Sequence, residues 1–152
     1  MTPTTTGLAI TALTEADRPR WTELWRGYLD FYETVLPDAI YDHTWSRLMA
    51  GAEIHGLAAR KDGEIIGITH YLFHAHCWSL GPACYLQDLY VDAAIRGAGA
   101  GRALIETVAD KARAAGATRL YWTTQDNNAT ARALYDRLAK YRGFIKYDYP
   151  PL

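Results

Sequence analysis

The sequence predicts an α/β domain, and three observations predict it. Segments with strand alternation and segments with helical periodicity succeed one another along the chain, and a glycine-rich loop joins one such strand to one such helix. The third is composition: of 152 residues, 49% are hydrophobic and 22% charged, enough for one well-filled core and too few for two ordinary domains. Residues 1–152 are therefore read as a single domain, with only the Thr-rich first residues loose. The formal net charge of −1 argues against a general nucleic-acid binder, which needs a surplus of Lys and Arg to neutralise phosphates. Cys77 and Cys84, without a secretory signal or an apolar run of membrane-spanning length, predict a soluble cytoplasmic protein with no membrane partner and no required disulfide.

Each element follows in order. Leu8 to Leu13 reads as a short strand, and Thr14 and Asp17 stand at capping-box spacing before a helix. Its apolar positions Trp21, Leu24, Trp25, Tyr28, Phe31, Tyr32 and Val35 recur at three and four residues, so they predict one buried stripe that ends at Pro37. A second short helix is expected over Asp42 to Ala50. Strands at His55 to Arg60 and Glu64 to Cys77 flank the turn Lys61-Asp62-Gly63 and predict a hairpin. Ala83 to Asp92 is a further strand, followed by the glycine loop and a helix from about Gly101 to Ala115. A strand at Thr118 to Gln125, a helix at Asn127 to Tyr141 and a last strand at Gly143 to Tyr149 complete the pattern.

The loop Arg96-Gly97-Ala98-Gly99-Ala100-Gly101-Arg102 carries the first chemical signal. Successive backbone N–H groups at a helix start can hold a pyrophosphate, glycines let the backbone approach it, and Arg96 and Arg102 add charge. A tight strand-to-helix connection is the plainer alternative. The chain lacks the Gly-Lys-Ser/Thr of a Walker loop, and Arg102 breaks the Gly-x-Gly-x-x-Gly dinucleotide spacing, which argues against nucleotide hydrolysis and hydride transfer.

Tyr85-Leu86-Gln87-Asp88-Leu89-Tyr90-Val91, then Arg96, Gly99 and Gly101, then Asn128, Ala131, Leu134 and Tyr135, resemble in order and spacing the motifs of the Gcn5-related N-acetyltransferases (GNAT superfamily), closest to small histone and polyamine acetylases. The resemblance implies a central mixed β-sheet with splayed parallel strands, flanked by helices. It also implies acetyl-coenzyme A as co-substrate, a primary-amine acceptor and a homodimer. Backbone groups of Leu89, Tyr90 and Val91 would bind the pantetheine arm, residues 96–102 the pyrophosphate, and Asn128 and Ala131 the coenzyme from the last helix. Tyr135 would direct its hydroxyl at the thioester sulfur. Without the resemblance, Asn128 reads equally as a helix-start residue and Tyr135 as a buried aromatic.

The chemistry limits the remaining assignments. An alkylammonium group with a pKa of about 10.4 must lose a proton before it attacks. Asp88 is the candidate base, directly or through water; it is alternatively a structural acid that caps backbone or pairs with an Arg. Related diamine acetyltransferases carry Glu at the position of Gln87, which cannot accept a proton. A backbone N–H such as that of Leu89 can stabilise the oxyanion. The leaving thiol, with a pKa of about 8.5, gains only moderately from a phenol of about 10, so Tyr135 is a helpful rather than an absolute acid.

His70, His74 and His76 share a strand face near Cys77 and Cys84, but their spacing matches no structural zinc pattern. No metal is expected, and a hydrogen-bonding or acceptor-contact role is preferred for the histidines. Cys84 has no adjacent base that would make it an acyl carrier, so direct transfer is preferred. Asp30, Glu33, Asp38 and Asp42 among Tyr28, Tyr32 and other aromatics suggest a pocket for a cationic amine, such as a polyamine, a basic amino acid or an exposed lysine. The plainer reading is two amphipathic helices with a wet acidic face. Tyr28, Asp30, Tyr32, Glu33 and Gln87 are the acceptor candidates. The competing function is a non-catalytic acyl-CoA-binding module.

Overall fold

The computed structural model describes residues 7–152; the Thr-rich start lies outside them. Along the chain stand β1 (Leu8–Ala12), α1 (Arg18–Phe31), α2 (Asp38–Ala50), β2 (His55–Lys61), β3 (Glu64–His74), β4 (Ala83–Val91), α3 (Ala100–Ala114), β5 (Arg119–Tyr121) and α4 (Ala129–Leu138). The residues separate into two compact units, one running to Trp122 and the other Thr123–Leu152.

In the first unit the five strands form one sheet in the order β1-β2-β3-β4-β5. Neighbours are antiparallel except β4 and β5, which are parallel, so the sheet is mixed. The hairpin between β2 and β3 turns on Asp62 and Gly63, with φ of 52° and 86°. Positive φ at both central residues is what a two-residue turn needs to match strand twist, and Asp-Gly supplies it at low cost.

Helices α1 and α2 cover one face of this sheet and α3 the other. Ile68 packs into a cluster with Trp21, Leu24, Trp25 and Leu29 of α1 and Tyr41, Trp45 and Leu48 of α2. Its neighbour Gly67 faces Leu104 of α3, and successive strand residues point to opposite faces. Trp21 has no exposed surface, and its ring stacks on Trp25 at 5.2 Å between centroids. Truncating such a side chain to Ala costs about 3–5 kcal/mol.

The capping spacing read at Thr14 and Asp17 is realised: the Thr14 amide and hydroxyl donate to Asp17 Oδ2 at 2.7 and 3.1 Å. They lead first into a short 3₁₀ turn, Glu15–Asp17, and only then into α1. Arg60 Nη2 reaches the same carboxylate at 2.6 Å and ties this corner to β2. Burial pushes the Asp17 carboxyl upward, but its bonds from Arg60 and Thr14 outweigh that and hold it below the usual range.

Several expectations need correction. Phe31 is half exposed and Val35 lies beyond α1 in solvent, while Leu29 is buried; the helix ends one turn too early for the predicted stripe. Helix α2 starts four residues earlier than expected, directly after Pro37, whose extended backbone lets it act as N-cap. β5 is only three residues long. The last strand is absent: residues 139–149 have no regular structure, and Phe144, Ile145, Tyr147 and Tyr149 are exposed. Alternating sequence makes a strand only where a backbone partner completes its hydrogen bonds.

Candidate active site

The site grows from an irregularity between β3 and β4. His70 stands opposite Asp88, but the next β3 residue, Tyr71, stands opposite Leu86, which leaves Gln87 as an extra residue on β4. Such a β-bulge breaks the strict alternation of a strand and re-aims side chains. Consequently Gln87 and Asp88, although consecutive, both line one cavity of about 440 Å³. His70 lines it from β3, Trp25 from α1, Arg47 from α2, and Glu53 from the segment after α2.

Asp88 is held on several sides. His70 Nδ1 lies 2.8 Å from Asp88 Oδ2, and Trp21 Nε1 donates to His70 Nε2 at 2.9 Å. An indole N–H can only donate, so Nε2 must offer its lone pair and the ring proton sits on Nδ1, where it donates to Asp88. The His70 and Asp88 side chains are only 5% and 14% exposed, so this chain is shielded from water. The Tyr28 phenol lies near the same carboxylate and interacts with it. Burial, and then the negative charge of Asp88, push the Tyr28 phenol well above its ordinary value; the same two causes raise Tyr32. Both phenols therefore remain protonated donors. Among the described residues Asp88 pairs with His70, and neither an Arg nor a backbone N–H takes its carboxylate.

Tyr90 packs edge-on to Tyr28, and α1 crosses it closely: a Cβ on Gly27 would stand 2.8 Å from the Tyr90 hydroxyl. Pairing of β4 with β5 covers only Ala83 to Tyr85 against Arg119 to Tyr121. From Leu86 to Val91 that edge of β4 has no strand partner among the described residues. Asp92 then fixes the exit of β4 by accepting from Arg20 Nη2 at 2.8 Å and from the Ala94 amide at 2.9 Å. The Arg20 bond, followed by that amide, holds the Asp92 carboxyl below its usual range.

The loop that follows is an open cradle. Gly97 and Gly99 have φ of 93° and 82°, a left-handed geometry that favours glycine, and among the described residues no atom beyond their chain neighbours lies within 4 Å of where a Cβ would stand. Helix α3 begins at Ala100 with no side-chain cap, so the backbone amides of Ala100, Gly101 and Arg102 point out of its first turn. Arg96 is exposed and Arg102 bonds Glu106 at 2.8 Å on the surface; Ala98 is half-buried. This concavity fits a diphosphate: it offers unsatisfied donors, positive helix potential and no obstructing side chain.

The other candidates are distributed elsewhere. Asp30 and Glu33 are exposed and do not line the cavity, and neither do Tyr28 and Tyr32, which instead surround Asp88. Asp38 is exposed, and Asp42 is ion-paired with Arg18. His74 bonds the Tyr121 hydroxyl at 2.7 Å, far in role from His70. Among the described residues no three His, Cys, Asp or Glu side chains form a metal-binding group. Burial pushes the Cys84 thiol up to about 11, which disfavours a thiolate nucleophile. In the second unit, Asn128 caps α4 by accepting from the Ala131 amide at 3.3 Å, and Tyr135 is half-buried on that helix.

Sequence reading missed Trp21 as the partner of His70, and Trp25, Arg47 and Glu53 as cavity residues. Helical periodicity could report only that the two tryptophans were buried. Nothing local marked Arg47 or Glu53.

The geometry agrees with the comparisons. The model of the acetyltransferase (GNAT) family matches residues 13–141. The chain is 33% identical over 135 residues to the D-amino-acid N-acetyltransferase of Saccharomyces cerevisiae (strain ATCC 204508 / S288c), covering 87% of this chain and 84% of that one. It is 34% identical over 83 residues to a thialysine N-epsilon-acetyltransferase of Caenorhabditis elegans, covering 55% and 51% of the two chains. Among solved structures, the fold matches AAC(6')-Iy in complex with a coenzyme A bisubstrate analogue, with a TM-score of 0.82 at 16% identity and coverage of 95% and 99%. No helix among the described residues is long and apolar enough to cross a membrane. With the mixed sheet, the short β4–β5 pairing and the glycine cradle in place, the chain belongs to the GNAT acetyltransferase family.

Proposed function

We propose that the protein transfers an acetyl group from acetyl-coenzyme A to the primary amine of a small molecule, by direct attack and without an acyl-enzyme. The observation that carries this reading is Asp88, a carboxylate bonded by His70, with Tyr28 nearby, at the wall of a cavity and on the strand whose pairing with β5 stops at Tyr85. The coenzyme supplies the acyl thioester. The Leu89 to Val91 backbone binds its pantetheine arm, and residues 96–102 hold its pyrophosphate.

Asp88 takes the proton of the entering ammonium group, directly or through one water. The freed lone pair forms the C–N bond, while a β4 backbone N–H, assigned to Leu89, stabilises charge on the carbonyl oxygen. The C–S bond then breaks, Tyr135 gives its phenolic proton to the departing thiolate, and the nitrogen loses its second proton to solvent, which reprotonates the phenolate. Asn128 and Ala131 contribute coenzyme contacts from α4. The relatives' amino-acid acceptors support a small free amine over a protein lysine. Exposed Phe144, Ile145, Tyr147 and Tyr149 support a homodimer that covers them, which a dimeric mass in sedimentation would bear out and a strictly monomeric one would remove.

Release of free thiol from acetyl-coenzyme A across a panel of amines tests the reaction. Amine-dependent thiol release with a matching acetylated product is expected. Coenzyme binding without turnover of any amine would instead make the chain a non-catalytic acyl-CoA-binding module.

A further inference from the structure

Two buried donors in the cavity have no partner. Arg47 Nε and Trp25 Nε1 are shielded from solvent, make no hydrogen bond among the described residues, and both line the cavity that contains Asp88. They come from different helices, α2 and α1, and converge on one space. Both atoms are donors only, so neither can satisfy the other. A buried donor left unpaired is costly, and groups of this kind are expected to meet an acceptor.

The charges around the cavity narrow the choice of acceptor. Its ionic side chains are Arg47, Glu53 and Asp88, with His70 committed to Trp21 and Asp88. Neither acid forms an ion pair with Arg47 among the described residues. A guanidinium presents parallel N–H groups that match the two oxygens of a carboxylate, and the indole N–H adds a third donor. Asp88, on the strand side of the cavity, suits an ammonium group.

We infer that Arg47 and the Trp25 indole form a carboxylate-binding subsite, so the acceptor is a free amino acid whose carboxylate is anchored there while its amine faces Asp88. This rests on the acetyl-transfer reading for the position of the reacting amine. It separates amino acids from polyamines and from lysines in a protein chain, which bring no carboxylate to that position. The subsite supplies selectivity because a substrate without the carboxylate leaves both donors buried and unpaired.

The test uses matched pairs: an amino acid, its carboxamide, and the amine that lacks the carboxyl group altogether. For the parent protein, kcat/KM for the amino acid is expected to exceed that for the other two by roughly 10–100-fold, the range of a charge-assisted hydrogen bond. Arg47→Gln should narrow the ratio to within about threefold, mainly through KM, and Arg47→Lys should restore part of it because charge returns without the fork. Trp25→Phe keeps the ring and removes one donor, so a smaller narrowing of about 3–10-fold is expected; it also serves if Arg47→Gln does not fold. Calorimetric titration of the same amino acid and amide, with coenzyme A present, reads the subsite without turnover. Equal kcat/KM across the pairs, or a ratio unchanged in folded Arg47 and Trp25 variants, would overturn the inference and leave these donors to water. If no amine is acetylated, yet the amino acid binds the parent and not Arg47→Gln, the acetyl-transfer reading fails and the subsite stands; absence of that binding overturns both.

Discussion

One cavity has two unlike walls. On the strand side, Trp21, His70 and Asp88 are joined by hydrogen bonds, with the imidazole tautomer set by an indole that can only donate and Tyr28 beside the carboxylate. On the helix side, Arg47 Nε and Trp25 Nε1 are buried and have no hydrogen-bond partner among the described residues. Satisfied groups are already organised for work, because no reorganisation is needed when charge moves. Unsatisfied groups are organised for a visitor. On the proposed function the strand wall serves proton handling and the helix wall recognition, so substitutions on the two should differ in kind.

The largest effect should come from removing the base. Asp88→Asn keeps the shape and abolishes proton acceptance, and steady-state kinetics should show kcat lower by about 10²–10⁴-fold with a smaller change in KM. If kcat fell less than tenfold with chemistry limiting, the strand wall would be only structural. Next comes Tyr135→Phe, expected to lower kcat by about 10–10³-fold with coenzyme A affinity within a few-fold of the parent; the high-pH decline in kcat should shift. Parental kcat there would leave the thiolate to be protonated by solvent.

Trp21→Phe sharpens the comparison. It keeps an aromatic ring but removes the donor to His70 Nε2, so the imidazole is no longer held in one tautomer. We expect kcat to fall by about 3–30-fold with KM little changed, consistent with loss of one positioning hydrogen bond. Because Trp21 is fully buried, thermal unfolding should show a cost of about 1–3 kcal/mol as well. A loss of stability with kcat unchanged would reduce Trp21 to packing.

The smallest effect lies far from the cavity. Asp17 and Asp92 have folded-state pKa values below those of the unfolded chain, so each contributes stability that is present above the unfolded value of about 3.9 and is lost as pH falls towards the folded value. Denaturant midpoints measured from pH 6 down to pH 3 should decline, and Asp17→Asn should flatten that decline while lowering stability at neutral pH. A parental slope in the variant would place the acid-sensitive groups elsewhere.

Much of this architecture was legible before any coordinates. Helix α1, the Asp-Gly hairpin, β4 and the cradle at 96–102 follow from periodicity, turn chemistry and glycine placement, which are properties of neighbouring residues. Asp88 was identifiable because an acid in an otherwise apolar and aromatic strand beside that cradle has few roles. Reading failed where pairing decides. The segment 143–149 has the apolar and aromatic content of a strand, but content does not supply a partner for its backbone. The stripe on α1 was extended past Phe31 because periodicity carries no information about where the chain turns away.

What the sequence by itself determined is therefore the order of elements from β1 to α4 and the family. Only the tertiary structure decided what surrounds Asp88. Gln87 joins it in the cavity because the register of β4 against β3 slips by one residue, and a register is a property of two strands rather than of either. Trp21 reaches His70 across 49 positions, and Arg47 meets Trp25 from a separate helix. Such meetings depend on how helices lie across a sheet, which follows from the packing of many side chains at once and leaves no mark at the residues that are brought together.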